Sequence, residues 1–92
     1  MGYKLQVPRF ELGQIYATSG AMLLEIDFRP YILRHAMGDW GDLGDEDKQT
    51  NEEALALGDR IFSAYQINEK VRIYIITECD RSMTTILLAS EY

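Results

Sequence analysis

The chain is poor in the residues that usually announce chemistry. It holds one cysteine, one histidine, one tryptophan and two prolines among 92 residues. A single cysteine excludes an internal disulfide framework and a cysteine-based zinc site, and it suits a reducing compartment, so a cytoplasmic setting is expected. A single histidine, His35, leaves no histidine pair for a transition metal. No apolar run approaches the roughly 18 residues of a membrane span, and the N-terminus lacks the basic-then-apolar build of a secretory leader. There is no phosphate-cradling glycine loop, no GxSxG elbow and no paired-cysteine motif. No cofactor, no metal and no membrane is therefore expected, and no residue pattern identifies an enzymatic reaction.

Basic residues are scarce too. Asp and Glu number 15 against 9 Lys and Arg, a formal net charge of −6. The imbalance is local. From Asp39 to Asp59 the acids are Asp39, Asp42, Asp45, Glu46, Asp47, Glu52, Glu53 and Asp59, against Lys48 alone, so this segment carries −7. The remainder has 7 acids and 8 bases, or +1. Such a field repels phosphates, and direct nucleic-acid binding is not expected. A protein partner with a basic surface, including a groove that normally holds nucleic acid, is attracted instead. The plainer reading is a solvated acidic face that keeps a small protein soluble. The hydrophobic share of 47% is that of a globular chain. A chain this short builds only a modest core, which a homodimer would help to complete.

The sequence grammar predicts an α+β fold in the order β-α-α-α-β-β-β, an antiparallel three- to four-stranded sheet with helices packed on one face. Residues 1–11 read as an N-terminal arm, with Tyr3, Leu5 and Val7 alternating before Pro8, and residues 12–92 as a single domain. Gly13–Thr18 reads as a strand that joins the sheet edge, with Ile15 and Ala17 on one face. Ser19 is a candidate N-cap for a short helix over Ala21–Glu25, and Asp27 for a second that ends at Gly38. Thr50-Asn51-Glu52-Glu53 has the form of a capping box for a third helix, although Asp45 offers a start one turn earlier; Gly58 is its stop. Arg60–Ile67, Val71–Thr77 and Met83–Ala89 then form a meander, rich in β-branched and aromatic residues. Asp39–Gly44, with Gly41 and Gly44, reads as the long irregular stretch.

Several groups are candidates for function. Asp39, Asp42, Asp45 and Asp47 invite a hard cation, but their spacing misses the calcium-loop template, and capping of loop turns and of the third helix accounts for them. His35 lies near a helix C-terminus beside Arg34, where a cationic side chain suits the dipole. Cys79, in a turn between two carboxylates, is a poor nucleophile candidate. The turn Glu78–Ser82, with Asp80, Arg81 and Ser82, is a secondary candidate surface. Trp40 either plugs the core, the commoner fate of so large an apolar body, or protrudes as an anchor.

The run Gly38-Asp39-Trp40-Gly41-Asp42 after Arg34-His35, Ser63-Ala64-Tyr65, and Ile75-Ile76-Thr77-Glu78 followed by Asp80-Arg81-Ser82 and Thr84-Thr85 resembles a family of small uncharacterised proteins of plasmids, phages and other mobile elements. The resemblance covers about Leu12 to Tyr92 and implies a cytoplasmic protein in a mobile-element setting; it assigns no catalytic role. Together with the charge it leads to the expectation of a non-enzymatic acidic binding protein, in sharper form an inhibitor of a host nucleic-acid-targeting defence complex of the anti-CRISPR or anti-restriction type. Its partner-binding residues are then Asp39, Trp40, Asp42, Asp45, Glu46, Asp47, Glu52 and Glu53. The alternatives are a small ligand-binding domain or enzyme using the Glu78–Ser82 turn and His35, and a structural accessory protein acting as a dimer.

Overall fold

A computed structural model describes residues 7–92; Tyr3 and Leu5 of the expected arm lie outside them. Strand β1 spans Gln14–Ala17, and three helices follow: α1 Ser19–Met22, α2 Arg29–Ala36 and α3 Asp45–Leu57. The meander is β2 Ile61–Gln66, β3 Arg72–Thr77 and β4 Met83–Leu88, closed by a 3-10 turn over Ala89–Glu91. This is the expected α+β order. The strands form one sheet in the order β1-β4-β3-β2. Among the described residues no helix is long and apolar enough to cross a membrane.

The sheet is mixed, which corrects the expectation of a wholly antiparallel one. β1 pairs parallel with β4, Gln14 facing Met83 and Ala17 facing Ile86, while β2-β3 and β3-β4 are antiparallel. The reason is topological. Two tight reversals make β4 run the same way as β2, and the helical crossover from β1 to β2 restores the direction of β1 as well. β1 therefore reaches its edge position parallel to its neighbour.

Alternation along the strands puts Tyr65, Ile73, Ile75 and Ile86 on the face where Ala21 of α1 joins them in one core cluster, with Tyr31 and Ile32 of α2 packed against it. Trp40, Ala54 of α3 and Ile61 form a second cluster, with Phe10, Leu43 and Leu55 around it. All three helices thus lie on one side. The other side carries a tilted Phe62–Tyr74 pair (ring centroids 4.6 Å apart), over which Tyr92 stands at 5.7 Å from each.

Local starts differ from the sequence grammar in three places. Thr18, not Ser19, caps α1: it holds extended backbone at the end of β1, and its hydroxyl accepts from the Ala21 amide at 3.1 Å. The helix ends at Met22 rather than Glu25. Helix α3 starts at Asp45, so Thr50 lies inside it and donates to the Glu46 carbonyl at 3.1 Å instead of capping. Three acids in the first turn, Asp45, Glu46 and Asp47, suit the positive end of the helix dipole and favour the earlier start. Gly58 terminates α3 in the left-handed conformation (φ 76°), as its position suggested. The expected cap of α2, Asp27, lies one residue too early: Phe28 holds the N-cap position without a side-chain cap, and Asp27 accepts from the Arg29 amide at 3.0 Å from just outside the helix.

Candidate functional site

The segment expected to be an irregular loop is a strip laid along the outer edge of β2. The Ala64 amide donates to the Trp40 carbonyl (3.2 Å), and the Asp42 amide donates to the Ala64 carbonyl (2.7 Å). One residue pair to each side, side chains continue the pairing. Asn51 of α3 accepts from the Phe62 amide (3.1 Å) and donates to the Phe62 carbonyl (2.6 Å), as a strand neighbour would. The Gln66 amide donates to an Asp42 carboxylate oxygen at 2.7 Å. A strip this close requires glycine at Gly41. Its φ is +76°, and a Cβ there would stand 1.9 Å from the Ala64 carbonyl oxygen and 2.7 Å from the Tyr65 ring.

Neighbouring residues fix the strip from both ends. Asp39 accepts from Arg34 Nε at 2.7 Å and from the Gly41 amide at 3.1 Å, while its carbonyl accepts from the Tyr65 hydroxyl at 2.6 Å. The Arg34 guanidinium holds the Asp39 carboxyl below the usual carboxylate range. Burial pushes the Tyr65 phenol up to about 12, so it remains a donor at any ordinary pH. Trp40 is 4% exposed and donates from its indole to Glu52 at 2.9 Å. Arg9 donates to the same carboxylate from both terminal nitrogens, at 3.0 and 2.8 Å. Those bonds, Arg9 first and then Trp40, lower the Glu52 pKa.

Trp40 is therefore a plug and not a protruding anchor. Burying 150–250 Å² of indole at roughly 25 cal/mol per Å² stabilises by at most about 4–6 kcal/mol, more than a small core can forgo.

His35 is fully buried and packs edge-on against Phe10 and Trp40 of the second core cluster. Its Nδ1 meets Ser63 Oγ, and its Nε2 lies 2.9 Å from Thr77 Oγ1. Thr77 Oγ1 lies 2.7 Å from Thr84 Oγ1, which donates to the Leu12 carbonyl at 2.6 Å. A carbonyl only accepts, so the proton order follows from that end: Thr84 donates to Leu12, Thr77 to Thr84, and His35 Nε2–H to Thr77. Nδ1 is left as the acceptor for Ser63. The ring is a neutral imidazole, and burial lowers its pKa to about 3. This corrects the expected cationic role at the end of α2: desolvation inside the core outweighs the helix dipole.

The Glu78–Ser82 turn also faces inward in part. Arg81, in the left-handed region at φ 60°, donates to the carbonyls of Asp59 (2.6 Å), Glu78 (3.1 Å) and Ala54 (3.3 Å), which ties the turn to the end of α3. Asp80 accepts from the Ser82 amide and hydroxyl at 2.9 and 2.6 Å. Cys79 is exposed. His35 is closed off from solvent and meets Thr77, the buried residue just before this turn, at 2.9 Å.

The candidate acids divide into two groups. Asp39, Asp42 and Glu52 bind parts of their own chain. Asp45, Glu46, Asp47 and Glu53 are exposed, and none takes part in the ion pairs among the described residues, which join Arg9–Glu52, Arg29–Asp27 and Arg34–Asp39. Glu46 and Glu53, seven residues apart, share one face of α3. Beside them a shallow cleft is lined by Leu43, Asp47, Thr50, Asn51, Arg60 and Phe62. No group of three or more His, Cys, Asp or Glu residues able to hold a metal occurs among the described residues.

Sequence reasoning missed Asn51 and Ser63, whose roles depend on partners far along the chain. In comparisons with known proteins, no family model, no curated protein and no solved structure matches the chain.

Proposed function

We propose that this protein is a non-enzymatic acidic binding protein whose contact surface is the exposed side of α3, offered to a protein with a basic groove or face. One observation carries the reading. Of the eight acids of the −7 segment, Asp39, Asp42 and Glu52 bond to their own chain, whereas Asp45, Glu46, Asp47 and Glu53 of α3, like Asp59 just after it, stand exposed without an ion-pair partner among the described residues. The contact surface is thus smaller than the eight residues first singled out; Asp39, Asp42, Glu52 and Trp40 act as its support. Anionic side chains on a rigid helix compete for lysine and arginine side chains that otherwise meet phosphates. The sharper form is an inhibitor of a nucleic-acid-targeting defence complex, carried by a mobile element, as the motif resemblance suggests.

Expression in bacterial hosts carrying a defined CRISPR effector or restriction enzyme tests it, scored by phage plating. The wild-type chain is expected to raise plating in at least one such host. The variant Asp45→Asn/Glu46→Gln/Asp47→Asn/Glu53→Gln, shown by circular dichroism to remain folded at the assay temperature, is expected to lose the effect by about tenfold or more, equivalent to about 1.4 kcal/mol of binding. Equal plating with the variant, or no effect of the wild type in any host, overturns the proposal.

A further inference from the structure

The edge of β1 is built differently from that of β2. In the parallel pairing the Gln14 and Thr18 amides donate to the Ser82 and Ile86 carbonyls, both at 3.0 Å. Parallel strands alternate, so Ile15 and Ala17 turn their amides and carbonyls away from β4, towards the outside of the sheet. Among the described residues nothing pairs with them. Ile15 is 47% and Tyr16 54% exposed on this edge. Next to Ile15, on the helix side, lies an open, mainly apolar depression formed with Pro8, Phe10, Glu11, Leu12 and Gly13. One step along the chain, α1 leaves Met22 and Leu23 exposed at 61% and 82%.

We propose that two copies of this chain join through β1, antiparallel about a two-fold axis at Tyr16, and merge their four-stranded sheets into one continuous sheet. The register follows from the outward groups. Ile15 of one copy faces Ala17 of the other, and each such pair exchanges two backbone hydrogen bonds. Tyr16 faces Tyr16 on the side without helices.

A four-residue strand pair covers far less than the roughly 800 Å² per partner of a standard interface. The remainder comes from the same register. With Gly13 opposite Ser19 of the second copy, that copy's α1 carries Met22 and Leu23 towards the depression at Pro8, Phe10 and Leu12. Two exposed apolar features that have no role in the monomer thus cover each other, twice by symmetry.

Charge permits a second copy at β1 and disfavours one at α3. The acidic segment borders β2, the far edge of the sheet. In the merged sheet the two β2 strands lie seven strand spacings apart, about 34 Å, well beyond the Debye length of ~8 Å at physiological salt. Like charges therefore do not oppose this mode of pairing, whereas they would oppose a dimer through α3.

The experiment is sedimentation equilibrium on the full chain with a charge-swap series. Wild type is expected to reach twice the 10.6 kDa chain mass with rising concentration. Tyr16→Lys and Tyr16→Glu, each placing like charges together on the axis, are expected to weaken self-association by about tenfold or more, and an equimolar mixture to restore it as a mixed dimer. A wild type that stays monomeric at millimolar concentration overturns the proposal. So does self-association that neither substitution weakens, or a mixture no more associated than its components. Binding of an extended peptide from another protein at β1 with no self-association assigns the edge to a foreign strand and likewise overturns it. None of these outcomes bears on the acidic face of α3.

Discussion

The two edges of this sheet face the same physical problem and meet it in opposite ways. An edge strand presents unpaired amides and carbonyls that recruit other strands. On β2 the amides and carbonyls of Phe62 and Ala64 and the amide of Gln66 are bonded, by Asn51, by the Trp40–Asp42 strip and by the Asp42 side chain. On β1, Ile15 and Ala17 keep theirs open among the described residues. The sealed edge also accounts for the Gly-Asp-Trp-Gly-Asp run: Asp39 orders the turn, Trp40 fills the core, Gly41 permits the close approach and Asp42 extends the pairing. The difference teaches that a motif with the look of a functional loop can be edge protection, and that the strand left unprotected is the better place to look for assembly.

The sharpest way to break the contrast is to unseal β2. Gly41→Val combines an unfavourable left-handed backbone with a Cβ that would stand 1.9 Å from the Ala64 carbonyl oxygen. The strip must lift, exposing the ladder and loosening Trp40, at an expected cost of about 3 kcal/mol or more. Urea denaturation reads this as a drop in midpoint. A midpoint unchanged from wild type would show that the strip contributes nothing. Asn51→Ala ranks next. It leaves the Phe62 amide and carbonyl without partners, an expected loss of about 2–4 kcal/mol from two unsatisfied groups. Asn51→Asp keeps the acceptor for the amide but loses the donor and introduces a charge, so it is not expected to rescue.

Much of this frame was legible in the sequence. The meander appears within about one residue of its strands at each end, because β-branched and aromatic alternation is a local signal. Gly58 was readable as a stop for the same reason. What escaped was set by distant partners. Thr50-Asn51-Glu52-Glu53 fits a capping box, yet the Thr50 hydroxyl donates to the Glu46 carbonyl inside the helix, Asn51 is drawn inside to pair with Phe62, and the Glu53 carboxylate, the one such a box would turn back, stays exposed. The tautomer of His35 depends on Ser63, Thr77 and Thr84, which come from three different strands. The candidate acids were visible as a charge run, but only the fold separates those held inward from those left free.

His35 gives the contrast a pH signature. Its folded-state pKa, about 3, lies below the ordinary value of 6.5. Between those values the unfolded chain binds a proton that the folded chain refuses, so stability is full above about pH 6.5 and falls on acidification. The slope approaches about 1.4 kcal/mol per pH unit through the middle of that window. Asp39 and Glu52, both lowered, add losses in the same direction at lower pH. Stability measured by urea denaturation at a series of pH values from 7 to 4 is expected to show this slope, and His35→Gln, less stable throughout, to flatten it above pH 5. A variant that keeps the wild-type slope would place the titration elsewhere.

The smallest effect compares two adjacent glutamates. Glu52→Ala removes the side-chain acceptor that the buried Trp40 indole has among the described residues, and the orphaned N–H is expected to cost about 1–2 kcal/mol. The half-exposed pair with Arg9 adds little, since ion pairs in water are worth ~0–1 kcal/mol. Glu53→Ala touches nothing and is expected to move stability by less than about 0.5 kcal/mol. Partner binding, if it runs through the exposed side of α3, reverses the order: loss of Glu53 weakens it directly, whereas loss of Glu52 acts only by loosening the support beneath. Thermal melts and binding measured on the same two variants therefore separate the acid that holds the fold from the acid that faces outward. Equal destabilisation by both would erase the distinction on which the acidic surface is drawn.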